Sequence, residues 1–123
     1  MAVARVLVAD DDDRLTQLVS RYLSMEGYEV ESVADGVAAV ARATSPPPPS
    51  LVVLDIMMPG IDGLEACRRI RANATTRDVP VLIFSALAEE SESARKAGAD
   101  LMLRKPFTLP LLGSTVRQLI QSR

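Results

Sequence analysis

Histidine and tryptophan are absent from this chain of 123 residues, and cysteine occurs once, as Cys67. Without histidine, the protein has no histidine-based zinc site, no Ser-His or Cys-His catalysis, and no role as a phosphohistidine carrier. A single cysteine excludes an internal disulfide and is typical of cytosolic proteins. These absences leave the carboxylates, hydroxyls and two lysines as the side chains that can carry chemistry.

Long apolar runs and a strong excess of one charge are also missing. No segment approaches the ~20 apolar residues that span a bilayer, and the first residues show no signal-peptide plan. The net charge of −2 gives no reason to expect binding to nucleic acid. We therefore expect a cytoplasmic protein that binds neither membrane nor nucleic acid and forms a single domain over residues 1–123.

Short apolar runs alternate along the chain with segments of helical periodicity. Five runs have the length and composition of strands: Val6–Ala9, Tyr28–Val33, Leu51–Leu54, Val81–Phe84 and Leu101–Leu103. Alternation of this kind predicts an α/β fold, in which a parallel sheet has helices on both faces. Because crossovers are right-handed, the sheet should be doubly wound, with the first strand beside the third.

Three of the predicted helices carry specific expectations. In the second helix, Val37, Val40 and Ala41 are interpreted as the apolar positions, and Asp35 as the cap. The fourth helix, about Ala88 to Ala97, is rich in Glu and Ser and should pack loosely. On the third helix a solvated outer face is predicted for the arginines, which are Arg68, Arg69 and Arg71.

Polar residues follow four of the predicted strands. The acidic cluster 10–13 follows the first, Asp55 the third, Ser85 the fourth and Lys105 the fifth. The carboxyl ends of parallel strands meet at one edge of the sheet, where ligands bind at the point of reversed winding. Crowded carboxylates are unfavourable unless a cation or a proton relieves them. The sequence thus predicts a divalent metal site and, with it, phosphate chemistry.

Four consecutive aspartates follow the first strand. Counting from the apolar run favours Asp10 and Asp11 as the metal-facing pair. Asp12 and Asp13 are interpreted as the start of the first helix, where negative charge interacts favourably with the positive end of the helix dipole.

At these positions the chain resembles the CheY-like receiver domains of response regulators in bacterial two-component signalling. The resemblance covers essentially the whole chain, in order and at the expected spacing. Its motifs are Val8 to Asp11, Leu54 to Gly60, Phe84 to Ala86, Gly98 to Asp100 and Lys105 to Phe107.

The resemblance implies a flavodoxin-like (βα)5 sandwich with the strand order 2-1-3-4-5 and a function in a phosphorelay. Asp55 would accept a phosphoryl group from a sensor histidine kinase or a histidine phosphotransfer protein, and a partner-binding surface would switch in response. The resemblance implies no enzymatic activity on other substrates. The chain would catalyse only its own phosphorylation and a slow autodephosphorylation.

The resemblance also assigns the metal and phosphoryl ligands. Asp10, Asp11, Asp55 and the backbone carbonyl of Met57 would hold Mg²⁺, with Mn²⁺ as the alternative. Of the remaining motif residues, the Ser85 hydroxyl and the Lys105 ammonium would bind the phosphoryl oxygens, and the Lys105–Pro106 peptide bond would be cis.

Three positions bear on how the domain would switch and how fast it would lose its phosphate. Met102 occupies the place where the family often has a Tyr or Phe ring, so a ring-based switch is not expected. Met57 and Leu87 flank the path of the hydrolytic water in this family, and both are apolar here. We expect slow autodephosphorylation for that reason. The face formed by the fourth helix, fifth strand and fifth helix is expected to form a homodimer or to bind an effector.

Two other classes of protein compete with a phosphorylatable receiver. The first class is an Asp-nucleophile phosphohydrolase or a flavin-binding protein of similar topology. The phosphohydrolase normally has a second Asp two residues after the first, where this chain has Met57. The flavin-binding protein needs a Ser/Thr/Gly-rich loop after the first strand, where this chain has an acidic one. A receiver-like interaction module that works without phosphate is the second class. The intact set of Asp10, Asp11, Asp55, Ser85 and Lys105 argues against it. The output of the domain is left open by the sequence.

Overall fold

A computed structural model describes residues 3–122 as five strands and five helices in strict alternation. The strands are β1 (Arg5–Ala9), β2 (Glu29–Val33), β3 (Leu51–Asp55), β4 (Val81–Ser85) and β5 (Leu101–Arg104), and the helices are α1 (Asp13–Met25), α2 (Gly36–Thr44), α3 (Gly63–Ala72), α4 (Ser91–Ala97) and α5 (Leu109–Gln121). Met1, Ala2 and Arg123, which the single-domain expectation includes, lie outside the described residues.

The strands form one parallel sheet in the order β2-β1-β3-β4-β5, which confirms the predicted doubly wound fold. Every residue of β3 and β4 is buried, as their continuous apolar sequence requires. The edge strand β2 instead alternates exposed glutamates with half-buried valines. This arrangement places β1 and β3 side by side at the centre of the sheet.

Alternate side chains of the strands pack into two hydrophobic cores, one on each face of the sheet. One core joins Leu7, Val52 and Ile83 to the helices α2, α3 and α4. The other core joins Val8 and Phe84 to α1 and α5. The sheet is therefore held on both faces, and its carboxyl edge is a fixed platform for the residues that follow the strands.

Side-chain caps fix where the helices begin. The Asp12 carboxylate accepts hydrogen bonds from the backbone N–H groups of Arg14 and Leu15, at 3.1 and 3.2 Å. Asp13 is the first residue of α1, so the interpretation of both residues as the helix start is confirmed. Asp35 caps α2 in the same way, also as predicted.

Several details of the helices differ from the prediction. In α2 the buried residues are Gly36, Ala39 and Ala43, whereas Val37 is 57% exposed. A side chain at Gly36 would overlap the backbone carbonyl of Ile61, so only glycine fits at this position. Of the three predicted apolar positions, Val40 is half-buried and packs against the core shared by α2, α3 and α4, whereas Val37 and Ala41 are exposed.

The third and fourth helices also differ from the prediction. Arg71 does not lie on a solvated face: its side chain is largely covered and donates to the Gly98 carbonyl at 2.8 Å and to Asp100 at 2.7 Å. The predicted fourth helix begins as one 3₁₀ turn, Ala88–Glu90, before α4. Within residues 3–122, none of the helices combines the length and the apolar character needed to cross a bilayer.

Candidate functional site

Two aspartates end up side by side because the central strands are in register. Ala9 of β1 is paired with Leu54 of β3, so Asp10 and Asp55 follow at the same level of the sheet. Both side chains are buried, with the residues 3% and 6% exposed. The main chain of Asp10 is held by its N–H donating to the Val33 carbonyl at 3.2 Å.

A third carboxylate, that of Asp11, completes an acidic cluster. One carboxylate oxygen from each of Asp10, Asp11 and Asp55 lies within 4.8 Å of the others, and Asp11 is the exposed member of the three. Hard oxygen ligands of this kind suit Mg²⁺, which keeps several waters and takes few protein carboxylates. An exposed member on one side of the cluster leaves room for such waters.

Lys105 brings a positive charge to the same cluster. Its Nζ lies 3.0 Å from Asp55 Oδ1 and 3.2 Å from Asp10 Oδ2. The main chain of Lys105 is fixed by its N–H donating to the Ser85 carbonyl at 2.8 Å, and the Lys105–Pro106 bond is cis, as expected. One ammonium against three carboxylates leaves an excess of two negative charges, which a divalent cation matches.

The charges in the cluster perturb one another. Burial raises the pKa of Asp55 above its ordinary value of 3.8, the hydrogen bond from Lys105 opposes that rise, and the neighbouring Asp10 and Asp11 add to it. Burial works to lower the pKa of Lys105, but the Asp55 and Asp10 carboxylates outweigh it and raise that pKa. The site thus favours a charged Lys105 and penalises the ionised Asp55.

Ser85 ends β4 at the same edge, and it is 1% exposed. Its hydroxyl accepts a hydrogen bond from the Leu87 N–H at 3.1 Å and lies 3.0 Å from the Leu87 carbonyl. It also donates to the carboxylate of Glu90. Sequence reasoning missed Glu90, because an acidic residue in a Glu- and Ser-rich helix start is indistinguishable from a solvated one.

A close backbone contact at the start of α3 fixes the position of Asp55. The Gly63 N–H donates to the Ile56 carbonyl at 2.9 Å, and a side chain at Gly63 would overlap the backbone carbonyl of Asp55. The start of α3 therefore fixes the segment that follows β3. Sequence reasoning also missed this role, for which the only signal is a glycine directly after the Asp62 cap.

Three further positions singled out from the sequence are Met57, Leu87 and Met102. Met57 and Leu87 have exposed side chains, at 73% and 50%, and the role of the Met57 carbonyl as a metal ligand stays a prediction. Met102 is half-buried in β5 and packs against the core that contains α4. The five predicted site residues that bear charge or a hydroxyl all lie at this one edge of the sheet.

Comparison with known proteins gives this arrangement its class. Residues 6–117 match the response regulator receiver domain family. The response regulator MprA of Mycobacterium avium is 44% identical over 119 residues, covering 95% of this chain and 51% of MprA. The chemotaxis response regulator CheY4 of Vibrio cholerae has a solved structure with a TM-score of 0.91 and 31% identity, covering 96% of this chain and 99% of CheY4.

A third relative shows a metal in its own cleft. The receiver domain of the sensor histidine kinase PA1611 from Pseudomonas aeruginosa PAO1 was solved with a magnesium ion coordinated in its active site cleft. It has a TM-score of 0.89 and 30% identity, covering 98% of this chain and 99% of that domain.

The chain belongs to the receiver domain family of two-component response regulators. It spans about half the length of the curated relatives it matches, 49% and 51% in two of them.

Proposed function

We propose that Asp55 is the phosphoacceptor of a phosphorelay. The observation that carries the proposal is the meeting of the Asp10, Asp11 and Asp55 carboxylates within 4.8 Å, with the Lys105 ammonium 3.0 Å from Asp55. The donor would be a phosphohistidine of a sensor histidine kinase or of a histidine phosphotransfer protein. Residues 1–123 would act as one receiver domain in the cytoplasm.

In the reaction, an oxygen of the ionised Asp55 carboxylate bonds to phosphorus while the phosphorus–nitrogen bond of the phosphohistidine breaks. The nitrogen keeps the electron pair of the broken bond, and the product is an acyl phosphate on Asp55. Phosphoryl transfer depends mainly on in-line positioning and on neutralising charge. Lys105 supplies one positive charge beside Asp55 for the phosphoryl oxygens, and Ser85 supplies a hydroxyl at the same edge.

The divalent cation that fits the cluster is Mg²⁺, with Mn²⁺ as the alternative. Asp10, Asp11 and Asp55 would hold it through carboxylate oxygens, and Met57 through its backbone carbonyl. When bound, the ion neutralises the negative charge that collects on the transferring phosphoryl group.

The domain would act only on itself. Its own phosphorylation and a slow autodephosphorylation are the two reactions we assign to it, so it is not an enzyme with a separate substrate. Met57 and Leu87 provide no polar group to activate water beside Asp55. The slow loss of phosphate would keep the signal for longer.

Output would occur through the face formed by α4, β5 and α5. Phosphorylation at Asp55 would draw in the Ser85 hydroxyl and reposition the segment between β4 and α4, biasing two conformations of this face. A second copy of the chain or a downstream effector would bind there, through groups that include Arg95, Lys96 and Arg104.

Intact-protein mass spectrometry after incubation with acetyl phosphate tests the proposal. We expect one added phosphoryl group in the presence of Mg²⁺, and none with a chelator. Asp55→Asn should abolish the addition, whereas Asp78→Asn, at an exposed position far along the chain, should leave it unchanged. Undiminished phosphorylation of Asp55→Asn would contradict the assignment.

A further inference from the structure

The Ser85 hydroxyl is hydrogen-bonded within its own turn, both as an acceptor and as a donor. Its oxygen accepts from the Leu87 N–H at 3.1 Å, and its proton faces the Glu90 carboxylate and the Leu87 carbonyl. A hydroxyl has only one proton to donate. Because a charged acceptor makes the stronger hydrogen bond, the hydroxyl donates this proton to the Glu90 carboxylate.

The position of Glu90 favours this hydrogen bond from Ser85. It ends the single 3₁₀ turn before α4, and its own N–H donates to the Leu87 carbonyl at 3.2 Å, which closes the turn around Ser85. The residue is half-buried, and among residues 3–122 no lysine or arginine forms an ion pair with its carboxylate. Within the part of the chain that the structure describes, the Ser85 hydroxyl is thus the side-chain partner of this carboxylate.

We propose that Glu90 is a positioning residue that holds the Ser85 hydroxyl on the β4–α4 turn and so opposes its donation to a phosphoryl group on Asp55. The proposal rests on the proposed function of Asp55. Donation to Glu90 and donation to a phosphoryl oxygen exclude each other, since both use the same proton. The Glu90 contact therefore stabilises the unphosphorylated arrangement, and breaking it is part of the free energy of switching.

Titration with beryllofluoride, a phosphoryl mimic that binds carboxylates, tests the competition without any turnover. The wild type is titrated with beryllium and fluoride in saturating Mg²⁺, and bound fluoride is followed by ¹⁹F NMR. Glu90→Ala should lower the half-saturating concentration about fivefold, the effect of losing one competing hydrogen bond. Glu90→Gln keeps a neutral acceptor and should fall in between. Glu89→Gln, the exposed neighbour in the same turn, should stay within about twofold of the wild type.

A second background separates the hydrogen bond from simple charge repulsion. In Ser85→Ala the hydroxyl is gone, so the further change Glu90→Ala should alter the half-saturating concentration by less than about twofold. An equal effect of Glu90→Ala with and without the Ser85 hydroxyl would overturn the inference, as would an unchanged titration of the single variant. Failure of the wild type to bind beryllofluoride in Mg²⁺ would instead contradict the proposed function.

Discussion

Neighbouring groups shift the pKa of the Asp55 carboxyl in opposite directions. Burial and the neighbouring carboxylates raise its pKa, and the Lys105 hydrogen bond works the other way. A raised pKa means that the folded protein binds the proton more tightly than the unfolded chain does. The ionised form therefore destabilises the fold, and a bound cation would remove that penalty.

Replacing this carboxylate by an amide should stabilise the domain at neutral pH. We expect Asp55→Asn to unfold at a higher temperature than the wild type at pH 7 in the absence of Mg²⁺, because the ionised form is penalised only above its ordinary pKa of 3.8. The advantage should shrink as the pH falls through the raised pKa and vanish below 3.8. Thermal unfolding at several pH values measures it, with exposed Asp78→Asn as the control. An advantage that is constant with pH would contradict the assigned charge balance.

Met57 offers a second test at the level of one side chain. Its exposed thioether cannot orient water beside Asp55, so Met57→Asn should speed the loss of the phosphoryl group about tenfold, equivalent to ~1.4 kcal/mol of barrier. Release of inorganic phosphate after loading with acetyl phosphate gives the rate. Met25→Asn, at an 83% exposed methionine in α1, is the matched control. Equal rates for Met57→Asn and the wild type would argue against the role of this position.

Among the elements, α3 and the turn before β5 are joined by one arginine. Arg71 donates to the Gly98 carbonyl and to Asp100, and its guanidinium also donates to the carbonyls of Arg77 and Val79. Asp100 in turn accepts from the Val81 N–H at 2.8 Å at the start of β4. The fork-shaped guanidinium links three separate segments, which a lysine could not do.

Loss of the Arg71 guanidinium should lower the stability of the whole domain. Arg71→Ala removes the hydrogen bonds to the backbone carbonyls of Arg77, Val79 and Gly98 and the ion pair with Asp100, and it should lower the free energy of unfolding by about 2 kcal/mol. Arg68→Ala, which removes only an exposed pair with Glu65, should change it by less than about 0.5 kcal/mol. Urea denaturation of the two variants measures both values. Equal losses would show that Arg71 is no more than a surface residue.

The glycine that begins α3 ties the fold to the site. Gly63→Ala would push a methyl group against the Asp55 backbone carbonyl, so we expect a loss of about 2 kcal/mol in stability and weaker Mg²⁺ binding. Urea denaturation and calorimetric titration with Mg²⁺ measure the two effects. Leu64→Ala, at the next residue of α3, should weaken stability while sparing metal affinity. Unchanged Mg²⁺ affinity in a folded Gly63→Ala protein would contradict the supporting role.

The elements also show what the sequence could and could not predict. Strands and their ends were predictable because buried apolar runs stop at Asp10, Asp55, Ser85 and Lys105. The inner face of α2 was predictable only in part, since Val40 packs against the core as its spacing indicates, whereas the close contact at Gly36 accepts only glycine. Nothing in the triplet of arginines on α3 marks Arg71 as the covered one, because its partners Gly98 and Asp100 lie far along the chain.

At the scale of the whole molecule, the two cores hold the sheet rigid and the carboxyl edge gathers residues from four distant segments. The carboxylates, Lys105 and Ser85 could be assigned to this edge from the sequence, because their strands had to be parallel. The Glu90 contact with Ser85 could not, since it depends on the short 3₁₀ turn that shapes the β4–α4 connection. The topology of the sheet thus brings the site residues together, whereas the hydrogen bond that holds the Ser85 hydroxyl depends on one turn.

The central claim is that Asp55, among the acidic residues at this edge, takes the phosphoryl group. Borohydride reduction converts an acyl phosphate into an alcohol and so marks the residue permanently. After loading with acetyl phosphate and Mg²⁺, tryptic cleavage gives the peptides 6–14, which holds the acidic cluster, and 43–68, which holds Asp55 and Asp62. We expect fragment spectra to place the reduced residue at Asp55 alone. A mark on the peptide 6–14, or on Asp62, would contradict the account.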